Sequence, residues 1–77
     1  MKLYLEPIQV EPPTGKPRRL RWRRRVYVVE EVIDFWISQT SWWRGEEKRI
    51  YLRLLTDGGT LEIYRIGAAW TMSRIAD

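Results

Sequence analysis

Seventy-seven residues carry fourteen Lys and Arg against ten Asp and Glu, a net charge of +4, and include neither cysteine nor histidine. That composition excludes disulfide staples, the commonest zinc ligands and the familiar nucleophile–base pairs, and so short a chain makes one domain, 1–77, around one core. Five Trp, four Tyr and one Phe supply the bulk for such a core, each able to bury roughly 150–250 Å².

In chain order, Lys2 to Val10 alternates loosely and reads as a short strand, with Pro7 favouring an edge position. Glu11 to Pro17 holds three prolines and a glycine, so it is a connecting loop. In Arg18 to Arg25, Leu20 and Trp22 share one parity and Arg19, Arg21 and Arg23 the other. An extended strand there turns the apolar pair inward and the three guanidinium groups outward.

From Val26 a longer strand is expected. One parity reads Tyr27, Val29, Glu31, Ile33, Phe35, Ile37, apolar except at Glu31, while Val26 to Val29 is apolar on both sides. A strand two-sided at its start and one-sided later suits a bent barrel strand. Ser38 to Glu47 is polar apart from Trp42-Trp43, with a turn at Gly45. Lys48 to Thr56 alternates Ile50, Leu52 and Leu54 against Arg49, Tyr51 and Arg53. Asp57-Gly58-Gly59 is a tight-hairpin signal that supplies positive φ, and Thr60 to Ile66 returns with Leu61 and Ile63 inward. Gly67-Ala68-Ala69 turns again, and Trp70, Met72 and Ile75 mark a last strand.

The fold class expected is therefore all-β: a small five- or six-stranded antiparallel barrel or strongly bent sheet, SH3-like first and OB-like second. No apolar run approaches the roughly 18–20 residues that span a bilayer, and Met1 to Pro7 lacks the apolar centre of a signal peptide. A cytoplasmic protein that does not enter membranes is expected.

No enzyme is expected. Glu30 and Glu31 are strand neighbours that point to opposite faces, and Glu46-Glu47 lies among Arg44, Lys48 and Arg49 in a loop. No glycine motif cradles a phosphate and no acid run suits Mg²⁺ or Ca²⁺, so no metal and no cofactor is implied.

The densest feature is basic. Lys16, Arg18, Arg19, Arg21, Arg23, Arg24 and Arg25 place seven positive charges in ten residues, and Arg18 to Arg25 holds no acid. Guanidinium groups pair with phosphates two bonds at a time and release counterions, so DNA or RNA bound through phosphates is the leading partner. The opposing reading pairs these arginines with Glu30, Glu31 and Asp34 across the sheet; Trp22 is core in either case. Trp42, Trp43 and Arg44 form a second candidate, a partner-binding anchor for a protein or a homodimer, or else a plug closing the barrel. The alternative function is thus a protein-interaction or structural module docking through an exposed Trp and a sheet edge.

An ordered set of residues carries a resemblance: Arg25-Val26-Tyr27 ending a basic strand, Val29-Glu30-Glu31-Val32, Trp36, Trp42-Trp43-Arg44, Arg49-Ile50-Tyr51, Asp57-Gly58, Leu61, Ile63-Tyr64-Arg65 and Trp70. The stretch from Arg23 to Asp77 is similar to the C-terminal region of mutagenesis-cassette Y-family polymerase homologues (ImuB-like proteins). It also resembles short stand-alone bacterial proteins of a family of unknown function. The resemblance implies a small β module beside a DNA-repair polymerase-like protein. It brings no activity, because the polymerase carboxylates lie in other domains. The first strand and proline loop lie outside it, and the Gly67-Ala68-Ala69 turn lacks the acid the resemblance leads one to expect.

Overall fold

The computed structural model describes residues 2–39, 45 and 47–76. Six strands follow one another: β1 (Lys2–Glu11), β2 (Arg19–Trp22), β3 (Arg25–Ser38), β4 (Arg49–Thr56), β5 (Gly59–Ile66) and β6 (Ala69–Ala76). Each pairs antiparallel with the next, and β6 returns to β1, closing the sheet into a barrel. This is the all-β barrel that the alternation predicts. Its wholly sequential order lacks the strand exchange of a Greek-key OB barrel. No helix long and apolar enough to cross a membrane occurs among the described residues.

Period-two alternation sets the inside. Leu20 and Trp22 of β2 are 1% and 6% exposed and meet Val10, Tyr27, Leu54, Leu61, Ile63, Trp70 and Met72 in one buried cluster. The expected apolar parity of β2, β4, β5 and β6 is the one that turns in. Among the described residues no buried side-chain nitrogen or oxygen lacks a hydrogen-bond partner. The Trp70 indole Nε1–H donates to the Pro13 carbonyl at 3.0 Å, which holds the proline-rich loop across that side of the barrel.

β1 is shared between two neighbours. Residues from Lys2 to Ile8 pair with β6, and Gln9 to Glu11 pair with β2. Pro7 pairs with Thr71 alone, so its missing N–H falls where β1 has no second neighbour, as an edge proline requires.

β3 departs from a single parity. Its fourteen residues do not hold one regular register along β4. Register shifts lie between Val29 and Glu31 and between Val32 and Asp34. Each moves the inward side by one residue, from Val29 to Val32 (opposite Leu54), then back to Phe35 (opposite Leu52). Glu31, the one charge on the expected inward parity, is thereby exposed. The expectation that Val26 to Val29 is covered on both sides is corrected: Val26 and Val28 are exposed, lying outward beside Arg21 and Arg19. Phe35 and Ile37, expected inside, are 63% and 55% exposed. Here β3 has outrun β2, and among the described residues it pairs with β4 alone, so its other edge carries no described strand.

The β4–β5 hairpin uses its glycines in a way the sequence pattern misassigns. Thr56 pairs with Gly59, leaving Asp57-Gly58 as the turn, and the positive φ (+108°) belongs to Gly59 rather than Gly58. Gly58 is required for a different reason. A Cβ there would sit 2.6 Å from Cε2 of Tyr27 and 2.8 Å from Nη2 of Arg25. The turn is strapped to β3: Val28 N–H donates to Asp57 Oδ1 at 3.0 Å, and Asp57 N–H donates to the Val28 carbonyl at 3.1 Å.

Candidate nucleic-acid interface

The basic segment is a hairpin: β2, a two-residue turn at Arg23-Arg24, and the start of β3, with Trp22 paired to Arg25. Arg19 and Arg21 point outward as alternation predicts. Arg23 does not continue that face; it occupies the left-handed region, φ 59°, which a long side chain adopts only under constraint. The constraint is visible. Arg23 Nε and Nη2 donate to the two oxygens of Glu6 at 3.1 and 2.9 Å, and the guanidinium lies 4.5 Å over the Trp22 ring and 5.3 Å over Tyr4. The Trp22 indole N–H donates to the same carboxylate at 3.0 Å. Hydrogen bonding to Arg23, then to Trp22, holds the Glu6 carboxyl below its ordinary value, and Glu6 in turn raises that of Arg23.

Two further cations of the segment are engaged internally. Arg19 gives Nε and Nη2 to Glu11 Oε2 at 3.1 and 2.8 Å, and Arg25 lies 4.6 Å over the Tyr27 ring. The expected counter-ions Glu30, Glu31 and Asp34 are replaced by Glu6 and Glu11 of β1. The reason is register: β2 meets β3 only from Arg25 to Val28, so Glu30 lies beyond its reach, whereas β1 runs alongside on the other flank. Lys16, Arg18, Arg21 and Arg24 are exposed, and no ion pair engages them among the described residues. Arg21 sits between Gln9 and Val26, both uncharged.

Trp42, Trp43 and Arg44 lie outside the described residues. A different aromatic group, which sequence reading missed, stands on the outer face of β3, β4 and β5. Trp36, Tyr51 and Tyr64 are paired in register across three strands. The Trp36 and Tyr51 rings stack 5.2 Å apart with planes within 1°, and Tyr64 follows at 5.2 Å, tilted by 44°. Arg53 approaches the Trp36 ring at 5.6 Å and Arg49 the Tyr64 ring at 5.0 Å. In the neighbouring row, Arg53 and Arg74 share Glu62, each 3.8 Å from one of its oxygens, and Ser73 Oγ donates to that carboxylate at 3.0 Å. The signal for the row was the parity of Tyr51 with Arg49 and Arg53, but the pairing with Trp36 and Tyr64 is written in the register alone.

A family model described as a domain of unknown function (DUF6504) matches residues 2–77. The chain belongs to that family. Because the match begins at residue 2, the first strand and the proline loop are part of the family's own domain, not an addition ahead of Arg23. No curated protein and no solved structure matches the chain. For this DUF6504 domain, the basic hairpin and the outer-face pair Trp36 and Tyr51 are two of the surfaces that the described residues present.

Proposed function

We propose that this domain is a non-catalytic module that binds nucleic acid through its phosphates, with the β2 hairpin as the contact. The observation that carries the reading is the division of labour within the hairpin. Glu6 and Glu11 hold Arg23 and Arg19, while Lys16, Arg18, Arg21 and Arg24 are exposed without an ion pair among the described residues. Guanidinium groups on a fixed scaffold suit phosphate oxygens, and such contacts position a ligand without reading its sequence. The resemblance to ImuB-like C-terminal regions supports a DNA-repair setting, with a polymerase-like protein as neighbour.

The test is a labelled-oligonucleotide titration at two or more salt concentrations. Four phosphate contacts give a log–log salt slope of roughly −3 on a single strand. Arg18, Arg21 and Arg24 changed together to Glu should abolish binding and leave the fold unchanged, because none of the three is in an ion pair among the described residues. Binding that is weak and indifferent to salt would remove the proposal.

A second reading, docking to a protein or to a second copy along β3, is favoured by the exposure of Phe35 and Ile37 on a stretch that, among the described residues, pairs only with β4. Phe35→Ser and Ile37→Ser together should then abolish self-association measured by sedimentation. A monomer at every concentration would remove the second-copy form of this reading.

A further inference from the structure

The Trp36–Tyr51–Tyr64 row lies outside the buried core cluster. Tyr64 is itself buried, at 8% exposure, whereas Trp36 and Tyr51 are half-buried, so the two stacked rings are the ones that offer aromatic surface outward. One face of the Trp36 indole is occupied by Tyr51, in almost parallel planes. Tyr51 lies on β4, and on the other flank of β3 no described strand pairs at this level, since β2 leaves β3 at Val28. The second indole face is turned toward that flank, which no described strand occupies.

The electrostatics suit a ring carried on a phosphate chain. Arg53 and Arg74 both approach Glu62, Arg53 also lies 5.6 Å from the Trp36 ring, and Arg49 stands over Tyr64, so guanidinium groups border the rings. An open depression of about 400 Å³ runs along the rings, bordered by Trp36, Ile37, Ser38, Tyr51, Glu62 and Arg74. Hydroxyl, carboxylate and guanidinium at its rim provide acceptors and donors for the polar edge of a base, and the ring faces provide the stacking surface.

We infer that this outer face is a stacking platform for unpaired bases, with Trp36 as its terminal ring, and that the nucleic acid bound by the domain is single-stranded. A duplex keeps its base faces inside its own stack and cannot offer one to Trp36, whereas every unpaired base can, whatever its identity. The inference rests on the phosphate-binding reading of the β2 hairpin and narrows it from nucleic acid in general to single strands.

The experiment compares three labelled ligands of equal length: an oligothymidylate, an abasic oligomer with the same phosphates, and a duplex. Fluorescence anisotropy gives the affinities at one salt concentration. The thymidylate should bind roughly five- to a hundredfold more tightly than the abasic oligomer, the range expected for one stacked base. Trp36→Ala should lower the thymidylate to the abasic affinity and leave the abasic affinity unchanged, while Trp36→Phe, which keeps a ring and the fold, should retain most of the difference. Equal binding of thymidylate and abasic oligomer by the wild-type protein would overturn the platform and leave the phosphate reading intact, as would a preference for duplex. Absence of binding to all three ligands would overturn both.

Discussion

Arg23 grips Glu6 with two nitrogens, Nε at 3.1 Å and Nη2 at 2.9 Å, while its guanidinium plane lies over the Trp22 ring whose own N–H ends on the same carboxylate. Four side chains from β1 and the β2 hairpin, Tyr4 included, thus gather around a single negative charge. The left-handed backbone at Arg23 is held by that charge rather than by a glycine.

The charge carries a pH dependence. Glu6 is held below its ordinary value of 4.5. Its contribution to stability is therefore present above that value and is lost as pH falls through the lower folded-state value. Glu6→Gln keeps the shape without the charge, so the wild-type protein should be the more stable at neutral pH and lose that advantage in acid. Urea midpoints of the two proteins at pH 7 and about pH 3 measure it, and a gap that stays constant would contradict the assignment.

Gly58 tests the packing beneath the β4–β5 turn. Alanine there places a methyl 2.6 Å from the Tyr27 ring and 2.8 Å from the Arg25 guanidinium. The guanidinium end can swing away, but Tyr27 is buried and its ring has little room to retreat. Gly58→Ala should cost roughly 1–3 kcal/mol in chemical denaturation. A variant as stable as the wild type would show that the ring relocates without penalty.

Fold and ligand binding should separate between two adjacent residues. Leu20 is 1% exposed, and Leu20→Ala should cost about 2–5 kcal/mol, a large part of the total for a domain of this size. Arg21 is exposed beside Gln9 and Val26, so Arg21→Glu should move stability by no more than about 0.5 kcal/mol while weakening oligonucleotide binding. Thermal melts and the titration on both variants check the pair, and equal destabilisation by the two substitutions would contradict it.

Much of this architecture is legible in the chain. Alternation alone places Leu20, Trp22, Leu54, Leu61, Ile63 and Met72 inside, and the proline and glycine clusters mark the turns, because in a small barrel side-chain parity decides burial. The chain is less readable where register matters. Two shifts in β3 exchange its faces, so the charge at Glu31 looks like an interruption of an inward row when it is the consequence of a bulge. The partners of Arg19 and Arg23 come from β1, some eight and seventeen residues away, and no local pattern identifies Glu11 and Glu6 as nearer in space than Glu30 and Glu31. The Trp36–Tyr51–Tyr64 row is invisible for the same reason: its members come from three strands, and only the pairing aligns them.

The brevity of β2 has a mechanical consequence. Its four residues join β1 through three paired positions and β3 through four, against seven or more at the β3–β4 and β4–β5 seams. The ring therefore has a narrow joint, and that joint bears the exposed cations. A polyanion lying across it would act as a clasp, bridging the two flanks that separate first when the barrel breathes, and by mass action would raise the melting temperature of the whole domain.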